Sequence, residues 1–404
     1  MADSLLLPTF GCGPVRSRSA HAFEGRNGTT VQPPRVTRRR ARLAGVAAVA
    51  GTLLLTGCGS DDNTGLPGAV DYTSDTIECG PAGTLLASGS TAQANAMEVW
   101  ANAYMANCDE GQVNYKATGS GAGIQEFLQG TTAFGGSDSR MKDAEIEQSR
   151  AVCRDGGRAI HLPMVAGPVA IGYNLPGVDD LVLDADTLAL IFDSRITHWD
   201  DPAIAELNPD ADLPNTRITP FSRSDGSGTT DNFTSYLAAS APDSWPHEPD
   251  KVWHGRGGQS ADGSSGLVGM VQQNVGAISY FELSYAHENG IPTVLVDTGA
   301  GDPVAATVEN ATTGIAAGEV IGTDGDLAME LDYTTDEPGA YPIVLITYEI
   351  MCDRGNDPET LELTRAFLNW TAGEEGQEMI TRIDYAAIPD EIITQVRERL
   401  DAMT

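Results

Sequence analysis

The sequence predicts an α/β protein of two lobes, each a sheet covered by helices. Three observations carry that prediction. Apolar runs of strand length alternate with segments of helical period along most of the chain, the pattern of sheets flanked by helices. At 404 residues the chain is too long for one ordinary hydrophobic core and comfortable for two. Several strand-to-helix junctions are turns rich in glycine, serine and threonine, at the end of the sheet where open α/β folds bind their ligands.

The first 57 residues stand apart from that pattern. Arg38, Arg39, Arg40 and Arg42 form a basic segment ahead of an apolar run at 43–55, and Leu55-Thr56-Gly57-Cys58 ends it with small residues before a cysteine. The run is too short to span a membrane and has the length of a secretory signal core. Its end resembles a bacterial lipobox, so 1–57 reads as leader and signal peptide and Cys58 as the lipidation site. Residues 1 to about 35 are surplus to such a signal, as from a start codon placed too early. The stretch 58–80 is polar and rich in Gly and Asp, as a flexible tether should be.

Beyond the tether a strand is expected at 84–87 and a helix at 91–107, with Met97, Trp100, Ala101, Tyr104 and Met105 on one face. Strands at 113–117 and 132–136 alternate with helices at 123–128 and 143–152. Further strands are expected at 159–164, 169–174, 218–222, 277–280, 293–296 and 343–348. The chain ends in helices at 358–371, with Leu363, Phe367 and Trp370 on one face, and at 390–402. Alternation of this kind indicates parallel sheets.

Of six cysteines, Cys12 lies in the leader and Cys58 would carry lipid, which leaves Cys79, Cys108, Cys153 and Cys352. An even number in an oxidising compartment suggests two disulfides, and the spacing fits no zinc site. Cys79 precedes the first strand and Cys108 ends the helix after it. A helix returning beside its strand brings those points together, which favours Cys79–Cys108 and leaves Cys153–Cys352.

With 24 basic and 57 acidic residues the formal charge is -33. Such a surface repels nucleic acid and anionic headgroups, so no nucleic-acid partner is expected, and membrane contact only through the anchor. It also repels anionic ligands at long range. An anion site here must work through local hydrogen bonds and dipoles.

Three turns have the composition of such a site: Ser88-Gly89-Ser90-Thr91, 118–123 (Thr-Gly-Ser-Gly-Ala-Gly) and 223–230 (Arg-Ser-Asp-Gly-Ser-Gly-Thr-Thr). A fourth, Phe134-Gly135-Gly136-Ser137-Asp138, ends its strand on a carboxylate. Helix N-termini offer unpaired N–H groups and a positive dipole end, and glycines let an anion approach them closely. The lysine of a Walker A loop is missing, as are His-Glu-x-x-His and a Gly-x-Ser-x-Gly elbow, so nucleotide hydrolysis and common hydrolase chemistry are not expected. His161 and His198 adjoin apolar residues and read as structural. No metal site or cofactor is expected.

At these turns, and at Asn114-Tyr115, 174–177, 196–209, 233–237, 276–280 and 384–389, the chain resembles the phosphate-binding subunit of the high-affinity phosphate ABC transporter (PstS-type). The likeness runs from about Leu85 to Val396. It implies a type II periplasmic-binding-protein fold: lobe I at 81–167 and 288–404, lobe II at 168–287, each a mixed sheet flanked by helices, joined by two crossover strands. It implies no catalysis, with inorganic phosphate and ABC permease subunits as partners, and a monomer on the outer face of the cytoplasmic membrane or in the periplasm. The implied ligands are Thr91 through hydroxyl and N–H, the Ala92 N–H, the Ser120 hydroxyl, and Asp138 as acceptor of a phosphate proton. From lobe II, Arg223 would pair with two oxygens, with Asp225 orienting it, and Ser227, Gly228 and Thr229 would donate from a helix start. Ala92 stands where the family commonly has an aromatic, and Gly121 where it has a serine; neither change touches Arg223 or Asp138. Another oxyanion such as sulfate or molybdate, or an extracellular phosphatase activity, remains as an alternative.

Replacing Cys58 by alanine is expected to release the exported protein from the membrane or leave it unprocessed. Mass spectrometry of the unaltered protein checks the premise, and an unlipidated Cys58 contradicts it.

Overall fold

A computed structural model describes residues 74 and 76–404. Strand–helix alternation holds from the start: β1 (Gly83–Gly89), α1 (Ala94–Asn107), β2 (Gly111–Ala117), α2 (Ser120–Leu128), β3 (Phe134–Ser137) and α3 (Asp143–Ser149). The long β4 (Ala159–Tyr173) leads to β5 (Val182–Asp184), α4 (Ala185–Phe192), α5 (Pro202–Leu207), β6 (Thr219–Arg223) and α6 (Gly228–Ser240). Next come β7 (Gln259–Ala261), α7 (Gly263–Gln273), β8 (Ala277–Glu282), α8 (Leu283–Glu288), β9 (Leu295–Asp297) and α9 (Val308–Ala316). The last are β10 (Glu319–Val320), β11 (Met329–Glu330), β12 (Val344–Cys352), α10 (Leu361–Thr371), α11 (Glu374–Thr381) and α12 (Asp390–Ala402).

One sheet has the order β2-β1-β3-β12-β4-β8-β6-β7. On one flank β1 lies parallel to β2 and β3, and on the other β6 lies parallel to β7 and β8. The alternation predicted this much. Between the flanks, β12 and β4 run antiparallel to each other and to β3 and β8, so the sheet is mixed, not parallel throughout. The strands expected at 159–164 and 169–174 are one strand, buried at every position. Gly167-Pro168 reads locally as a turn, but it falls where β4 changes neighbours: Pro168 pairs with Val344 of β12, and Val169 with Glu282 of β8. A proline lacks the ladder donor, and a change of partner is where a strand can do without it.

The helices bury the faces their spacing predicts. Met97, Trp100, Ala101 and Tyr104 of α1 are buried, Met105 of the same predicted face is only half-buried, and Trp100 Nε1 donates to the Gly376 carbonyl at 2.7 Å. Helix α2 begins at Ser120, ahead of the expected 123. Gly123 belongs to its first turn because the helix packs so tightly there that a Cβ would overlap the Gly89 backbone and come within 2.8 Å of the Ser88 carbonyl. That glycine serves close approach, not a turn. Asp184, Asp201, Ser227 and Thr307 cap their helices by accepting N–H groups of the first turn.

Disulfides join Cys79 to Cys108, the C-cap of α1, and Cys153 to Cys352, the last residue of β12, with Cα separations of 5.5 and 5.4 Å. The first closes 29 residues and the second 199. In the chain-entropy model these contribute about 3–4 and about 5 kcal/mol. Replacing Cys153 and Cys352 by serine is therefore expected to lower the denaturation midpoint more than replacing Cys79 and Cys108. Equal losses in matched urea titrations contradict that ranking.

Candidate functional site

Five strand ends converge on one seam between the flanks of the sheet. Arg223, the last residue of β6, is buried, with its side chain 1% exposed. Its Nε donates to Asp225 Oδ1 at 2.7 Å, its Nη2 donates to Asp225 Oδ2, and its backbone N–H donates to Tyr280 Oη at 3.2 Å. Asp225 also accepts the Gly263 N–H from the start of α7 at 3.2 Å. Burial pushes the Asp225 pKa up, but the hydrogen bonds and charge of Arg223 outweigh it and hold this carboxyl below the ordinary aspartate value. Gly119 has φ +89° and lies so close to Asp225 that any Cβ would overlap the carboxylate.

Helix α6 begins beside this pair. Ser227 caps it, its Oγ accepting the Thr230 N–H at 3.2 Å, while its own N–H donates to the Lys251 carbonyl at 2.9 Å. The N–H groups of Gly228 and Thr229 have no partner among the described residues. Unpaired donors at a helix start form an anion site together with the dipole.

Asp138 faces them from the end of β3. Its Oδ1 accepts the Thr347 hydroxyl at 2.8 Å and its Oδ2 the Thr229 hydroxyl at 3.0 Å. The Asp138 N–H donates to Ser120 Oγ at 3.2 Å, and its carbonyl accepts Asn232 Nδ2 at 2.8 Å. Burial raises the Asp138 pKa; the hydroxyls of Ser90, Thr347 and Thr229 and the charge of Arg223 offset this only in part. Packing here is close: a Cβ on Gly228 would lie 2.7 Å from both Asp138 Cβ and Ser120 Oγ.

The remaining predicted residues complete the seam. Thr91 Oγ1 lies 2.9 Å from Ser264 Oγ and accepts the Ser264 N–H at 3.2 Å. Its own N–H has no partner among the described residues. Ala92 is held differently from expectation, since its N–H donates to Ser90 Oγ at 3.0 Å. Ser120 opens α2, and the next N–H, of Gly121, donates across the seam to the Gly226 carbonyl at 2.8 Å. Thr91, Ala92, Ser120, Asp138, Arg223, Asp225, Ser227, Gly228 and Thr229 thus fall in one place. Cys58 lies outside the described residues.

Sequence reasoning missed Ser264, Asn232 and Thr347. Asp262-Gly263-Ser264-Ser265-Gly266 has the composition of the other turns and could have been found. Asn232 sits inside a helix, and Thr347 in an apolar strand where only it and Glu349 break the pattern. His161 has the structural role expected: its Nε2 accepts the Met141 N–H at 2.9 Å, so Nδ1 carries the proton given to Asp326 at 2.9 Å. Among the described residues no group of three or more His, Cys, Asp or Glu side chains converges to hold a metal.

A guanidinium and several neutral donors facing a single buried carboxylate suit a small oxyanion that retains a proton. The fold and this seam define a two-flanked solute-binding protein, and a PBP superfamily domain matches residues 74–375. The chain belongs to the PstS family of phosphate-binding proteins. It is 42% identical over 358 residues to the phosphate-binding protein PstS 3 of Mycobacterium tuberculosis, covering 88% of this chain and 96% of that one. To PstS 3 of Mycobacterium leprae it is 39% identical over 364 residues, with coverages of 89% and 98%. The crystal structure of a phosphate-binding protein from Stenotrophomonas maltophilia has the same fold, with a TM-score of 0.62 at 18% identity over 78% of this chain and 94% of that one.

Behind the seam, Glu349 of β12 is fully buried, and neither carboxyl oxygen has a hydrogen-bond partner among the described residues. Burial pushes its pKa from 4.5 up to about 8; nearby Gln93 opposes the rise and the negative charge of Asp138 adds to it. A raised folded-state pKa means the folded protein holds this proton more tightly than the unfolded chain. That stability is complete below about pH 4.5 and is lost as pH rises towards 8. Between about pH 5.5 and 8.5 the urea midpoint is expected to fall, and to fall less in Glu349→Gln. Identical slopes in the two proteins contradict this.

Proposed function

We propose that this chain captures inorganic phosphate between two lobes and delivers it to the permease subunits of an ABC importer, as a monomer held outside the cytoplasmic membrane by lipid on Cys58. In this reading lobe I takes 81–167 and 288–404 and lobe II takes 168–287, although β9 at Leu295–Asp297 pairs with β5 of lobe II and goes with that lobe. One observation carries the reading: the unpaired N–H groups of Gly228 and Thr229 and the buried Arg223 meet the Asp138 carboxylate across the seam. Family membership supports phosphate as the ligand and an importer as the partner.

In this reading Arg223 pairs with the anion through guanidinium N–H groups that Asp225 does not occupy. Gly228, Thr229 and Thr91 give backbone N–H groups, and Ser120 and Ser227 give hydroxyls. Asp138 accepts a proton from phosphate. Ala92 contributes once its N–H leaves Ser90, or serves only as the wall of the site. A buried dianion needs many donors, because leaving it short costs several kcal/mol. Capture makes and breaks no covalent bond, so the reading asks for no nucleophile or catalytic base.

Sulfate and other fully deprotonated oxyanions are disfavoured, because they present no proton to Asp138 and leave two negative groups in contact. Arg223→Ala truncates a buried charge pair, a change that typically costs about 2–5 kcal/mol, so phosphate affinity is expected to fall tens- to thousands-fold. Asp138→Asn keeps the shape of the site and should weaken phosphate by no more than about tenfold while admitting sulfate. Calorimetric titration of both anions tests this. Undiminished phosphate binding in the Arg223 variant contradicts the assignment, as does unchanged sulfate exclusion in the Asp138 variant.

A further inference from the structure

Strand β12 contributes one side chain to the seam that no turn motif announces. It runs antiparallel to β3, pairing Glu349 with Gly136 and Tyr348 with Ser137. That ladder ends at Tyr348, and the same register carried one residue further brings Thr347 to Asp138, one residue past the end of β3. The ladder of β12 on β4 shifts register between Thr347 and Tyr348, an irregularity of the kind that re-aims a side chain. Thr347 is fully buried, and its hydroxyl reaches Asp138 Oδ1 at 2.8 Å.

A threonine hydroxyl has one proton to give. Here it goes to Asp138, because an ionised carboxylate can only accept. Thr229 occupies the other carboxylate oxygen at 3.0 Å, but it belongs to α6 on the far side of the seam, and the Ser90 hydroxyl acts on Asp138 from the turn after β1. Thr347 belongs to a strand that pairs with β3 itself, so its bond to Asp138 is made within one flank of the sheet.

We infer that Thr347 is a positioning residue that sets which oxyanion the site takes: by donating to Asp138 it holds that carboxylate as a proton acceptor. The inference rests on the phosphate reading above and adds a residue and a mechanism of selectivity to it. With the hydroxyl in place, an anion carrying a proton completes the hydrogen bonding of Asp138, while an anion without one meets an unpaired negative charge. Without the hydroxyl, the balance at Asp138 moves towards the neutral carboxyl that burial favours, with the Ser90 and Thr229 hydroxyls and the Arg223 charge still opposing it and the buried Glu349 carboxyl coupled to it. Asp138 then keeps its own proton at higher pH and can donate it to an anion that has none.

Thr347→Val preserves the shape of the side chain and removes the donor, and Thr347→Ser restores the donor. The full chain and both variants are titrated calorimetrically with sodium sulfate between about pH 5.5 and pH 7.5, and with phosphate at about pH 7.5. Sulfate carries no proton across this range, and in a Glu349→Gln background, where that neighbouring buried carboxyl cannot titrate, its affinity reports the state of Asp138. In the unaltered protein sulfate affinity is expected to rise towards acid pH. In the valine variant the profile should move to higher pH by about one unit or more, the loss of one hydrogen bond to a charged group. The serine variant should follow the unaltered protein. A merely structural role would lower stability without moving this profile. A valine profile that overlays the unaltered one, or sulfate excluded from both at every pH, overturns the inference. If the valine variant fails to fold, Thr347→Ala takes its place in the same titration, and a profile that overlays the unaltered one overturns the inference equally. Lack of phosphate binding by the unaltered protein is the separate result that removes the functional reading itself.

Discussion

The structure is organised around a guanidinium that has been taken out of water. Arg223 is 1% exposed in a chain of formal charge -33, and its fixed partner is Asp225, two residues along the same turn. Burying an ion pair is expensive, and a single carboxylate does not occupy all five guanidinium donors. The arrangement makes sense when a second anion completes it. Asp225 then holds the guanidinium plane in place, so that the remaining donors are aimed before any ligand arrives.

Much of the surrounding architecture follows from bringing a second flank against that arginine. Gly119 yields its side-chain space to Asp225, Gly228 to Asp138 and Ser120, and Gly121 donates directly to the Gly226 carbonyl. These glycines allow two backbones to approach at a distance no side chain permits. Hydroxyls do the rest, as Thr91 meets Ser264 and Thr229 meets Asp138 across the same seam. The global charge repels anions at a distance, while in the proposed reading the local environment of backbone donors and one arginine attracts them. Those two fields act over different lengths, since salt screens the first within about 8 Å at physiological ionic strength.

The parts legible in the sequence were those with local signatures. Arg223, Asp225 and Ser227-Gly228-Thr229 sit within one turn whose composition announces a donor-rich helix start, and the periodicity of α1 marks most of its buried face. What could not be read depends on pairing between distant segments. Nothing near Gly167-Pro168 says that the strand continues with a new neighbour, because that is decided by β8 and β12. Thr347 lies 209 residues from Asp138 and acquires its role only through the register of β12 on β3. Ala92 illustrates the converse: its position was predicted, but the occupant of its N–H depends on the rotamer of Ser90.

Placing the ligand between the flanks is the central claim, and a crystal structure of the protein grown with phosphate tests it most directly. The account predicts one tetrahedral anion within hydrogen-bond distance of Arg223, the Gly228 and Thr229 N–H groups, Thr91 and Ser120, with one of its oxygens against Asp138. Phosphate found only on the surface, or bound in the seam without contact to Arg223, would contradict it.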